Sequence, residues 1–204
     1  RLVQFGAPEE IQYLSNPHVG SDRIRRVIPK LRQYLISQGC EIHFNTQITE
    51  ILTSVDGPDK ALRGVKTEHG KVYESPFVVL ATGHSAEDML MHLHEIGVAL
   101  EGKSFAMGLR IEHPQKIINQ IQYREWFEHP KLGSANYRLA HHDARTDVGV
   151  YSFCMCPGGF VLSSGTEEDR VVCNGMSNFN RNSPWANAAL VVSIDHEKNF
   201  GKDL

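Results

Sequence analysis

No two glycines in this sequence are separated by a single residue, although 17 are present. A G-x-G-x-x-G phosphate-binding turn is therefore absent. With it goes the helix N-terminus that usually holds a dinucleotide pyrophosphate. Long apolar runs are missing too. The longest, such as Phe77–Ala81 and Ala188–Val192, are strand-sized and far short of the roughly 20 residues that span a bilayer. There is no excess of basic residues, with 21 Lys+Arg against 24 Asp+Glu and a net charge of -3. That balance argues against nucleic acid and against an anionic membrane as default partners. Cysteine is sparse, with Cys40, Cys154, Cys156 and Cys173 and no disulfide framework. Reduced thiols, and the lack of a signal-peptide pattern at the start, make the cytoplasm the expected location. Cys154 and Cys156 form a C-x-C pair whose direct bond would be poorly shaped. Cys40 and Cys173 are isolated, so zinc-type pairing is not expected. His92 and His94 are two apart on an expected helix, and His141 and His142 are adjacent on an expected strand. Neither pair has ligand spacing, and no metal is expected.

What is present is a chain of 204 residues, 41% hydrophobic. That is enough for one sizeable domain or two small ones. It begins at Arg1 and stops at Leu204 soon after a strand-like segment, and reads as a piece of a longer protein. The alternative is a complete domain whose initiator is absent. Residues 1–20 read as loop. Ser21 or Asp22 is expected to cap a helix to about Gln38, with Ile24, Val27, Ile28, Leu31 and Leu35 on one face. Pro29 lies inside that helix and is expected to kink or divide it. A short strand, Glu41–Phe44, follows. A three-stranded meander comes next, with a turn at Asp56–Asp59 and a hairpin at Glu68–Lys71. Phe77–Ala81 reads as a strand buried on both faces. Thr82-Gly83-His84 breaks it, and Ser85 is expected to cap a helix to about Ile96. Beyond Gly97–Lys103 the rhythm changes. Strands are expected at Lys103–Glu112, Asn136–His141, Gly149–Phe153, Phe160–Ser163, Arg170–Cys173 and Ala188–Asp195, with a short helix at Pro114–Gln122. The expected class is α+β or α/β, with residues 1–97 a partial nucleotide-binding segment and 98–204 a mainly antiparallel β domain.

Few residues carry chemistry by themselves. Val78–Gly83 is a strand ending in small residues, which lets a backbone approach another group closely. By itself this also fits a plain tight turn. Arg110 stands in the otherwise apolar Phe105–Ile111. It either pairs with a ligand carboxylate or phosphate, or forms an ion pair with Glu112 or another nearby acid, or sits at a solvent-facing pleat position. The C-x-C-P-G-G run, Cys154–Gly159, reads foremost as a structural or substrate-loop turn, and secondarily as a thiol relay. Asn174–Asn187 is polar, and reads as a cleft wall or a surface loop.

The order of elements over residues 20–84, ending in Ala81-Thr82-Gly83, resembles the later part of the FAD domain in flavoproteins of the glutathione-reductase superfamily. A more specific resemblance covers nearly the whole chain. Phe5–Glu10, Pro17–Asp22, Phe105–Gln115, Val150–Gly159 and Val172–Ser177, continued by Arg181, Ser183, Ala186 and Asn187, resemble the family of uncharacterised FAD-dependent dehydrogenases. The resemblance implies FAD in a longer parent, with Ile48 (through its main chain), Ala81, Thr82 and Gly83 on the cofactor. The N-terminal fingerprint and the segment that closes over the flavin lie outside these residues, so a fragment that is colourless or only weakly loaded with FAD is expected. The residues themselves, and not the resemblance, suggest a small-molecule substrate near Arg110, Cys154, Cys156, Asn174 and Arg181, with a nicotinamide as the candidate electron donor. No catalytic acid or base is assigned. The expected function is part of a flavin-dependent oxidoreductase; the alternative is a non-catalytic β domain that binds a ligand or partner.

Overall fold

The computed structural model describes residues 1–54, 60–165 and 171–201. The turn expected at Asp56–Asp59 and the start of the strand expected from Arg170 lie outside the described residues. The fold is mixed α and β, with mainly antiparallel sheets. Among the described residues, no helix is long and apolar enough to cross a membrane. The chain divides into two compact units. One joins Arg1–Cys40 with Lys103–Lys202, and the other is Glu41–Gly102. The division near residue 102 lies where the composition changes. The first forty residues, however, group with the C-terminal half and not with residues 41–97.

The reason lies at the start of helix α1, Ser21–Ser37. The expected caps do not cap. Gly20 is the N-cap residue, and no side chain bonds the helix end. Ser21 Oγ instead donates to the Ser177 carbonyl at 3.2 Å. The Phe179 amide donates to Asp22 Oδ1 at 2.7 Å. His18 Nε2 lies 3.0 Å from the Asn178 carbonyl, and the Arg23 guanidinium sits 3.3 Å above the Phe179 ring, a cation–π contact. Gly20 has φ 84, and a Cβ there would run into the Phe179 backbone. Glycine is thus required twice over at this point. The helix then runs unbroken through Pro29. Proline keeps a helical φ, so its cost here is one missing backbone donor and not a break. Val27 is buried at 1% exposure.

The rest of this unit is a four-stranded sheet. Strands β4 (Phe105–Pro114), β5 (Ala140–Asp143), β6 (Val148–Cys156) and β9 (Trp185–Ile194) lie in the order β4-β9-β6-β5. A separate hairpin joins β7 (Gly159–Ser163) to β8 (Cys173–Ser177). Helix α3, Gln115–Tyr123, follows β4 directly, and the short α4, His196–Phe200, follows β9. Strand β9 is central, and its buried run is Ala186-Asn187-Ala188. Small side chains there bring neighbouring backbones and the Asn187 amide into close contact.

In the 41–102 unit, β1 (Ile48–Thr53), β2 (Leu62–Thr67) and β3 (Val72–Glu74) form the expected antiparallel meander. The hairpin at Glu68–Lys71 closes through Thr67 and Gly70 backbone bonds. Helix α2, Glu87–Glu95, packs Met89 inward, and the Ile51 amide donates to His92 Nε2 at 2.9 Å. Ser85 does not cap this helix. Ala86 is the N-cap residue, and Ser85 Oγ bonds His84 Nδ1. Two strand expectations also fail. Glu41–Phe44 and Phe77–Ala81 join no ladder. Phe77 and Val79 are 85% and 90% exposed, not buried. A strand needs a neighbour for its amides and carbonyls, and among the described residues β1, β2 and β3 pair only with each other.

The Asp22 carboxyl is held below the usual carboxylate range, chiefly by the Phe179 amide. A lowered folded value means its stabilisation is complete above the unfolded value of about 3.9 and fades as pH falls through the folded one. Asp22→Asn should therefore melt below the unaltered protein at neutral pH, with the gap closing in acid. Thermal melts across that range test this, and a gap independent of pH would refute it.

Candidate functional site

The site grows from an irregularity in β6. Phe153 faces Ala189, but Cys156 faces Asn187, so β6 carries one more residue than β9 over this stretch. The surplus is a bulge, and Cys154 takes it up at φ 46. The bulge turns the Cys154 carbonyl toward Arg110. Arg110 Nη1 donates to that carbonyl at 3.2 Å and to Asn187 Oδ1 at 2.7 Å. Asn187 is fully buried, so this bond answers an acceptor that water does not reach. Cys156 Sγ also points at the Cys154 carbonyl, at 3.4 Å. Gly175 on β8 leaves the room for all this. A Cβ there would collide with Asn187 Oδ1, Arg110 Nη1 and Cys156 Sγ.

The Pro157-Gly158 turn that follows is fixed from several sides. Gly158 has φ 52, and its amide donates to Gln115 Oε1 at 2.7 Å. Ser177 Oγ donates to the Pro157 carbonyl at 2.9 Å, and the Ser183 amide to the Gly158 carbonyl at 3.2 Å. Gln115 also donates through Nε2 to Asn119 Oδ1 and to the Ala135 carbonyl. The turn packs against the Arg181 backbone, where a Cβ on Gly158 would not fit. Arg181 is itself at φ 49. Its carbonyl accepts from Ser134 Oγ at 2.6 Å, and its amide donates to the Asn178 carbonyl at 3.0 Å.

Two clefts flank this turn. One, of about 380 Å³, runs between the start of α1, Met155–Pro157 and Gly175–Ser177. The other, of about 720 Å³, runs between Asn136–Arg138 and Ser152–Met155. Arg181, Met155 and Pro157 border both. Cys156 lines the smaller and Cys154 the larger. The bulge therefore places the two thiols in different clefts. Burial pushes the Cys156 thiol up from its ordinary pKa, against a smaller opposite pull from Arg110 and Arg181. A raised thiol pKa is the reverse of what a reactive thiolate needs.

Of the expected substrate-side residues, the structure gathers Arg110, Cys154, Cys156 and Arg181 around one turn. Asn174 lines neither cleft, and its Oδ1 accepts from the next amide, Gly175, at 2.8 Å. Arg110 is half-buried, and among the described residues its hydrogen-bond partners are Asn187 and the Cys154 carbonyl, with no ion pair to Glu112. The expected cofactor residues lie in the other unit. Ile48 stands opposite Thr67 in the β1–β2 ladder. Ala81, Thr82 and Gly83 are exposed, and a Cβ on Gly83 would meet nothing within 4 Å. No cradle closes on them, so these residues do not by themselves fit a bound FAD. Sequence reasoning passed over Gln115, Tyr137 and His113. The Tyr137 hydroxyl lies 2.9 Å from His113 Nε2, at the edge of the larger cleft. One signal for the buried cluster was legible. Asn187 interrupts a run of alanines in a strand, a place where a polar side chain needs a partner.

The segment that builds both sides of the turn also matches a family model. Residues 104–204 match the family model of the FAD-dependent protein, C-terminal domain-like. A protein of Clostridium beijerinckii (strain ATCC 51743 / NCIMB 8052), titled an uncharacterized protein, is 42% identical over 196 residues. The similarity covers 96% of this chain and 36% of that protein. The chain thus spans little more than a third of the length of the relative it matches. The family match ties this β unit to FAD-dependent proteins.

Two outcomes follow from the cluster. Gly175→Ala should lower stability by about 1–3 kcal/mol, because a Cβ must displace buried polar groups. Denaturant unfolding measures it, and an unchanged midpoint would contradict the packing described. At neutral pH, Cys156 should alkylate more slowly than the exposed Cys154. Mass mapping after timed iodoacetamide treatment reads the order.

Proposed function

We propose that this chain is part of a flavin-dependent oxidoreductase, and that the sheet unit supplies its substrate-side body. The observation that carries the reading is a coincidence of place. The match to an FAD-dependent family falls on residues 104–204, and those residues build most of the two clefts beside Met155. In such proteins the flavin performs the electron transfer, while the protein binds, orients and excludes water. The residues given the cofactor in the sequence reading, Ile48, Ala81, Thr82 and Gly83, would contribute only one edge of a flavin site. The remainder belongs to the longer protein. The substrate is a small molecule, and a nicotinamide is the proposed electron donor.

Within this reading the two cysteines shape the turn and carry no electrons. The raised Cys156 pKa and the separation of the thiols into two clefts support that. The full-length protein should purify with bound flavin, seen in its visible absorbance, and the 204-residue chain alone should load weakly. Donor-driven flavin reduction should survive both Cys154→Ser and Cys156→Ser. A colourless full-length protein that ignores added FAD would sink the proposal and leave a ligand-binding β domain. Loss of all turnover in a folded serine variant would restore the thiol relay.

A further inference from the structure

The larger cleft has a one-signed lining. Among the described residues, Arg138 and Arg181 border it and no carboxylate does. This happens in a chain with more acidic than basic residues. Among the described residues, neither arginine has an acid within ion-pair distance. Arg181 Nε is buried and meets no hydrogen-bond partner among them. Its main chain is pinned, and among the described residues no counter-charge meets its side chain. Cations without a compensating acid favour an anion in the space they border. The rest of the wall is mixed. The Asn136 amide and the Tyr137 hydroxyl are neutral polar groups, the latter held by His113 Nε2 at 2.9 Å. Phe153, 56% exposed, and Met155 are apolar.

We infer that this cleft binds a small organic carboxylate with an apolar body. The carboxylate lies between Arg138 and Arg181, and the body lies on Phe153 and Met155. A guanidinium is planar and matches two carboxylate oxygens at once. The cleft takes no residue from the first turn of a helix, the feature that favours a free phosphate. A volume of about 720 Å³ falls in the usual range for small-molecule sites, about 300–1,000 Å³. The inference names the substrate class of the proposed oxidoreductase and rests on that reading for its catalytic meaning. Binding itself requires no flavin.

Calorimetric titration of the full-length protein with phenylpropionate tests it. Saturable binding is expected, weakened about tenfold or more by Arg138→Gln and by Arg181→Gln. Phenylpropionamide, which lacks the charge, should bind at least as poorly as phenylpropionate does to the variants. Arg181→Gln alters a partly buried side chain, so a thermal melt accompanies it. Arg138 is exposed, and Arg138→Gln keeps the test decisive if the other variant fails to fold. No saturable binding, unchanged binding to Arg138→Gln, or tighter binding of inorganic phosphate than of phenylpropionate would overturn the inference. A colourless protein that still binds phenylpropionate removes the flavin reading and supports this one. A flavin-loaded protein that does not bind it does the reverse.

Discussion

Arg110 carries a permanent charge to the point where β4, β9 and β6 meet. A guanidinium so placed needs acceptors that do not depend on water. It finds them in the Asn187 side chain and the Cys154 carbonyl. Asn187 in turn is fully buried and depends on the same bond. The Cys154 carbonyl reaches the guanidinium because the strand bulges, and the bulge is tolerated because Gly175 presents no side chain. Each of these conditions supports the others. Removing one leaves a polar atom sealed from solvent without a partner, a cost of about 1–3 kcal/mol.

The cluster also gives the C-x-C-P-G-G run its shape. It is a corner. The bulge shifts the β6 register, Cys156 pairs once more with Asn187, proline and glycine then reverse the chain, and Gln115, Ser177 and Ser183 bond the result in place. On either side of this corner lies a cleft, and Arg181 reaches both. Rigid backbone beneath a binding surface lowers the ordering cost of association. The Cys156 thiol is one of the groups that this rigidity encloses, which is why burial dominates its titration.

Local patterns in the sequence were sufficient for much of the architecture. Period-two alternation and turn residues located the meander, β4, β6, β7 and β9, and the helical stripe located α1. What they missed depends on partners distant in sequence. Ser21 and Asp22 look like caps because their side chains suit that role, but the same oxygens and hydroxyls serve the 177–179 backbone equally well. Phe77–Ala81 looks buried because it is apolar, yet burial requires a neighbour that sequence composition does not specify. At the site, Arg110, Cys154, Cys156 and Arg181 were legible as unusual residues. Their convergence was not, because β-bulges and the choice of strand order leave little local trace. His113, Tyr137 and Gln115 gave no signal beyond being polar.

The attachment of α1 to residues 177–179 also bears on how the chain comes into being. Asp22 and Phe179 are 157 positions apart, and the whole 41–102 unit lies between them. During synthesis the amphipathic first helix emerges long before the backbone it must grip. Closing so long an interval carries a loop-entropy cost that no earlier contact has offset. Helix α1 therefore cannot make these contacts until residues 177–179 have been synthesised, an interval in which an apolar face is open to chaperones and to other nascent chains.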